Sequence, residues 1–365
     1  MSKFMPEHHQ SGISLIELMI ALVLSSLLML GVMRMFLDNT RSSASDSALV
    51  QIQDSARIAM EMIKRDVRMA GYRGSDTSAN TEVTTGSLID FDNQSVIGVE
   101  GTGDPTNNNA LTRLESSDTL AILRAEEMFF SNDILDPNSS LGPVRVTAAD
   151  QTGLITLNKK LCYSSDDVLM VSDGRQLAVF KPSTNAHECK ADPTETFTSE
   201  FLIAIGQGNS PISLKDYVIP PECAADEQRC PELYNIGSTT GLIYDIRQTG
   251  RVGSDGQPIF ALFRDDEEMV EGVENLQVLY GIQDGSKIRY TMGCDQNTFD
   301  NGNCNPGMTT HIRISLVIAA SNNVIEGNQQ LRFDILNLNN NKTLVSNDRR
   351  LRRVFTTTIQ LRNQG

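Results

Sequence analysis

Glu17 is the residue that most needs a chemical explanation. It is the single charge in ISLIELMIALVLSSLLMLGVM, residues 13–33. A carboxylate in an apolar run is costly unless something compensates it, although less so near the end of the run than at its centre. Cleavage after Gly12 would supply that partner. The new chain would begin at Ile13 with a free α-amino group, and Glu17 would lie one helical turn on, within reach of its own terminus or a neighbour's. Amine and carboxylate then offset each other in apolar surroundings. One idea accounts for both the glycine and the glutamate.

The six cysteines are the next reactive set: Cys162, Cys189, Cys223, Cys230, Cys294 and Cys304. All follow the apolar run. An even set beyond a translocation signal indicates disulfides in an oxidising compartment. Cys223 and Cys230 bracket AADEQR, and Cys294 and Cys304 bracket DQNTFDNGN, so local pairing is the simplest choice. Cys162 and Cys189 are then left for each other, while the other connectivities stay open. Zinc is disfavoured, because its sites use tighter cysteine spacing with histidine support. Only His187 and His311 would remain after cleavage. Asp295, Asn297, Asp300, Asn301 and Asn303 lack the order of a calcium loop and read as a solvated turn. No nucleophile elbow, phosphate loop, zinc-protease helix or dinucleotide fingerprint occurs in usable context. The expectation is a non-enzyme with no catalytic residues, no metal and no cofactor.

These residues need elements to place them. Residues 13–33 as a helix span about 31 Å, the hydrocarbon thickness of a bilayer. The run is too long for an ordinary signal peptide, and no small-residue cut site follows it. Further on, Leu49, Ile52, Ala56, Ala59, Ile63, Val67 and Ala70 recur at steps of three and four, which predicts an amphipathic helix with one buried face. Arg57–Glu61 and Glu61–Arg65 are spaced for pairs on its wet side, and Gly71 and Gly74 end it. A lone helix of this length is unstable in water, so its second half needs a surface to pack on.

The rest of the chain supplies that surface. Residues 75–117 are rich in Thr, Ser, Asn, Gly and Asp, and GTGDPTNNN at 101–109 reads as loop. Short strand-like runs follow, separated by turn residues, from Thr119–Arg124 to Val354–Leu361. The fold class expected is α+β: a long N-terminal helix, transmembrane in its first half and amphipathic in its second, packed on a mainly antiparallel sheet. The divisions are a leader at 1–12, a membrane or core helix at 13–37, an amphipathic helix at 38–74 and a β-rich domain at 75–365. Asp265, Asp266, Glu267 and Glu268 read as wet surface, and Arg349, Arg350, Arg352 and Arg353 as edge or interface charges. The formal net charge is −15. An acidic surface repels phosphate backbones, so direct nucleic-acid binding is not expected.

Gly12-Ile13-Ser14-Leu15-Ile16-Glu17-Leu18 resembles the class III leader of type IV prepilins and type II secretion pseudopilins. RDVRMAGYRG at 65–74, EGVENLQVLYG at 271–281 and LRRVFTTTIQLRN at 351–363 resemble the PilW-type minor pilins. The resemblance implies that a prepilin peptidase cuts between Gly12 and Ile13 and methylates Ile13, and that Glu17 serves assembly. Ile13 departs from the phenylalanine or methionine usual in the family. The implied role is a minor pilin that primes the fibre or sits at its tip and counters retraction, supporting twitching motility, adhesion or DNA uptake. Its implied partners are other minor pilins, the major pilin, the inner-membrane assembly platform and a tip adhesin. Its implied places are the inner membrane, with the C-terminal domain periplasmic, and the filament at the cell surface. The alternatives are a minor pseudopilin of a type II secretion system and, from another class, a signal-anchored periplasmic enzyme or binding protein.

Overall fold

The computed structural model describes residues 14–74, 82–83, 95–99, 117–128, 143–149, 154–158, 167–173, 176–182, 201–204, 219, 221–224, 226, 230–237, 241–291, 309–327, 329–332, 343–345 and 348–362. One helix, α1 (Leu15–Met69), carries both the apolar run and the amphipathic run without a break. Its 55 residues extend about 82 Å. The serines from Ser42 to Ser47 do not interrupt it. Ala48, Ile52, Ala56, Ala59, Ile63 and Val67 are buried, and Asp66 is buried with them. Leu49 is only partly buried, because Ala48 takes its place on the inner face. On the wet side Glu61 meets Lys64 at 3.8 Å rather than Arg57 or Arg65. Gly71 adopts φ 73°, which turns the chain out of the helix as only glycine does cheaply.

The sheet under the helix is antiparallel, with strand order β15 (Lys287–Thr291), β14 (Val273–Asp284), β16 (Thr309–Asn323), β19 (Arg350–Gln360). Alternation sends Leu276, Val278, Tyr280, Ile312, Ile314, Leu316 and Ile359 toward α1. A second sheet flanks it, in the order β13 (Glu267–Glu271), β12 (Pro258–Arg264), β11 (Leu242–Val252), β3 (Thr119–Ile122), β2 (Val96–Val99). It adds Leu120, Tyr244, Phe260, Leu262 and Val270 to the same core. β2 lies in the polar tract, just before the stretch 101–109 expected to be loop. Gly98 there accepts the Tyr280 ring against its backbone: a Cβ would fall 1.5 Å from the Tyr280 hydroxyl. Asp118 joins the two sheets, since its carboxylate accepts the Val278 N–H at 2.8 Å and its own N–H donates to Leu276 O at 2.8 Å.

A further five-stranded sheet has the order β1 (Glu82–Val83), β8 (Gln176–Phe180), β7 (Val168–Ser172), β10 (Glu232–Gly237), β4 (Glu126–Glu127). Its β1–β8 pair is parallel and the others are antiparallel. All of β7 is buried, because one face packs under the three-stranded sheet β5 (Val146–Ala149), β6 (Leu154–Leu157), β9 (Phe201–Ala204) and the other meets Leu123, Tyr234 and Tyr72. A short hairpin, β17 (Gln330–Arg332) and β18 (Thr343–Val345), brings Leu331 over Val317. The molecule is thus an α+β protein: one long helix against a mainly antiparallel set of sheets.

Candidate functional site

The apolar half of α1 packs against no other described element. Seventeen large apolar side chains from Leu15 to Leu37 are 43–78% exposed. Burying that surface is worth on the order of 20–30 kcal/mol at about 1.5–3 kcal/mol per fully buried side chain, reduced for what the helix already shields. The hydroxyls within the rod are satisfied locally. Ser25 Oγ donates to Ala21 O at 2.7 Å and Ser26 Oγ to Val23 O at 2.8 Å. The two serines of the rod therefore present no unmet hydroxyl donor to lipid or to other helices.

Glu17 sits in the first turn, three residues after the N-cap Ser14. Ser14 O accepts the Leu18 N–H at 3.1 Å. The unpaired N–H groups and the positive end of the helix dipole favour a carboxylate there. The S-x-x-E spacing of Ser14 and Glu17, a capping-box signature, was a sequence signal for this helix start. Gly12 and Ile13 lie outside the described residues, so the structure does not bring them to Glu17.

The other end of α1 is held by a buried charge cluster. Asp66 is fully buried and accepts a 2.5 Å hydrogen bond from the Tyr244 hydroxyl of β11. Arg124, just after β3, lies 3.4 Å from it and Arg264 of β12 3.8 Å. Glu126 of β4 contacts both arginines. Burial, and then the bond to Asp66, push the Tyr244 phenol well above the ordinary tyrosine range. Strands β11 and β12 and the connection between β3 and β4 thus converge on one carboxylate of the helix. The exit of α1 is stitched as well, since Gly71 N–H donates to Leu123 O and Ala125 N–H to Tyr72 O, each at 2.9 Å.

A second buried cluster fastens β19. Arg352 gives a two-pronged pair to Glu274 at 2.7 and 2.8 Å and also meets Asp348. Burial alone would lower the pKa of the Arg352 guanidinium; Glu274 and Asp348 more than offset it, and it stands raised. Arg350 clamps Asp255 in the β11–β12 turn at 2.6 and 2.8 Å and reaches Gln257 O at 3.0 Å. Burial would lift the Asp255 carboxyl, but Arg350 holds it below its usual range. Of the four arginines expected as edge charges, Arg350 and Arg352 are instead buried on one face, while Arg349 and Arg353 are exposed. Two positions apart on a strand means the same side. The acidic run is also partnered. Asp265 and Asp266 form the two-residue β12–β13 turn, with Asp265 at φ 55°. Arg247 reaches Asp266 at 3.1 Å, and Arg251 meets Glu268 and Glu271.

A disulfide joins Cys223 and Cys230, with Cys223 packed beside β5. Cys162, Cys189, Cys294 and Cys304 lie outside the described residues, as does His187. Among the described residues no group of three or more His, Cys, Asp or Glu is placed to hold a metal ion.

With this geometry the comparisons with known proteins agree. Residues 248–363, from within β11 to beyond β19, match the family model for Type IV Pilus-assembly protein W. Residues 8–33 match the model for the prokaryotic N-terminal methylation motif. No curated protein and no solved structure matches the chain. The two matches support a type IV pilus-related pilin whose N-terminal helix is suited to membrane anchoring and pilus assembly. The matched C-terminal third is similar to that of PilW-like type IV minor pilins. Domains of these families are structural rather than catalytic.

Proposed function

We propose that this chain is an accessory pilin that waits in the inner membrane through its rod, with the folded domain periplasmic, and then enters a type IV pilus by burying that rod among parallel rods of other subunits. The observation that carries this reading is the bare apolar surface of Leu15–Leu37 on a helix whose other half is firmly seated in the folded domain. Such a surface demands lipid before assembly and helices after it.

Cleavage between Gly12 and Ile13 by a prepilin peptidase would free the α-amino group, with methylation of Ile13. Glu17 would then meet the terminus of a neighbouring rod and set the axial register of insertion. In this reading the subunit primes the fibre or occupies its tip and opposes retraction, so that motility, adhesion or DNA uptake depends on it indirectly. Other minor pilins, the major pilin, the assembly platform and a tip adhesin are its partners. The PilW-like C-terminal third favours a pilus over a secretion pseudopilus, which shares only the leader and helix. The test is mass spectrometry of the mature chain together with pilus fractionation. A terminus at Ile13 and co-purification with sheared pili are expected. A chain that starts at Met1, or that never leaves the membrane fraction in a piliated strain, would refute the proposal.

A further inference from the structure

The exposed side of α1 near its C-terminal end carries Lys64, Arg65 and Arg68, and Arg362, just past β19, comes in beside them. With Met62, Met69, Tyr72 and one carboxylate, Glu61, they line one open groove. Lys64 is engaged by Glu61 at 3.8 Å, and Arg65, 66% exposed, touches only the rim of Asp66 at 3.4 Å. Arg68 and Arg362 are exposed and make no ion pair with any described residue. Arg68 complements the dipole at the helix end, but Arg362 comes from another element and has no such reason to be there. The chain has 46 acidic and 31 basic residues. Two free guanidiniums gathered beside two further cations are therefore out of keeping with the surface around them.

We propose that this groove receives a carboxylate-rich peptide segment of an adjoining pilin subunit. The inference rests on the assembly reading above. Three features select that occupant. The forked donors of guanidinium groups match carboxylates, and the Met69 and Tyr72 side chains give a peptide an apolar floor. The groove flanks the side of α1 turned away from its own sheets, the side that continues the line of the rod. In a bundle of parallel rods that side looks toward other subunits. A long polyanion such as nucleic acid would meet the repulsion of a −15 chain beyond the groove, whereas a short acidic segment brings few charges and only to the groove.

The test uses the full chain, expressed in a piliated strain that lacks its own copy. A photo-crosslinking amino acid at Met69 should capture an Asp- or Glu-rich peptide of another pilin subunit, identified by mass spectrometry. The double variant Arg68→Glu/Arg362→Glu should lower the amount recovered in sheared pili roughly tenfold, as expected for reversing two exposed pairs. Replacing the captured carboxylates with lysine in the partner should restore it. Lys287→Glu on the far sheet edge should change nothing. Adducts to nucleic acid, to lipid or to no protein, or a double variant recovered at wild-type level, would overturn the groove while leaving the assembly reading in place. A wild-type chain absent from pili would overturn both.

Discussion

Replacing Asp66 with asparagine tests what seats the helix. Asp66→Asn keeps the shape of the side chain and an oxygen that accepts from Tyr244, and it removes only the charge. Arg124 and Arg264, whose side chains are 11% and 23% exposed, would then face each other with Glu126 as their remaining counter-ion. Removing one partner of a buried ion pair costs about 3–5 kcal/mol. Glu126 is 46% exposed and still contacts both arginines, which reduces the expected loss to about 2–3 kcal/mol. At about 2–4 °C per kcal/mol for a domain of this size, the unfolding midpoint should fall by roughly 5–10 °C. The assay is thermal unfolding of the full chain in detergent micelles, followed by circular dichroism. Tyr244→Phe, measured alongside, should cost about 1–2 kcal/mol, and the double variant should show a coupling of about 1 kcal/mol because the two groups touch. A shift below about 2 °C for Asp66→Asn, or strict additivity with Tyr244→Phe, would refute the reasoning and leave the apolar stripe, the backbone bonds at the helix exit and the Arg41 contact to fasten the helix.

Four other outcomes are expected. Glu17→Gln keeps the size and polarity of the side chain but not its charge, so it should stay membrane-bound and processed yet be poorly recovered in pili; recovery at wild-type level would show that the charge of Glu17 is not needed for assembly. Gly98→Ala drives a methyl group into the Tyr280 hydroxyl and should cost about 1–3 kcal/mol by chemical denaturation. The folded state keeps the Tyr244 proton where the unfolded chain loses it, so stability should be full below about pH 10 and fall as pH rises beyond it, a decline that Tyr244→Phe should flatten; the lowered Asp255 carboxyl works the other way, its contribution present above about pH 4 and lost on acidification, as Asp255→Asn would show. Breaking the short Cys223–Cys230 loop with serines should cost about 2 kcal/mol, read as a lower denaturation midpoint under oxidising conditions.

The helix was legible because a period of 3.6 residues is written in residue types: the steps through Ile52, Ala56, Ala59, Ile63 and Val67 are the inner face observed. The same pattern held a signal that polarity obscured. Asp66 lies three residues after Ile63 and four before Ala70, on the buried face, and a carboxylate there calls for partners. The strands of the C-terminal third could be read from their apolar and β-branched runs. β2 could not, because it lies in a polar tract and carries a glycine that only Tyr280, far along the chain, explains. Likewise, Arg350 and Arg352 look like surface charges until Asp255 and Glu274, 95 and 78 residues away, are brought to them by pairing. Pairing at that distance leaves no local trace. Glu17 stood out for the opposite reason, as a lone charge among apolar neighbours.

The helix lies along its sheet rather than across one end of it. Arg41 meets Glu326 just past one end of β16, and Arg362, just past β19, lies beside Met69 at the other end of α1. A pull on the thread of a retracting fibre would thus act lengthwise on the helix–sheet interface, in shear, and many small contacts would have to yield together instead of peeling one by one. The single carboxylate at the far end would be the last rivet to bear the load.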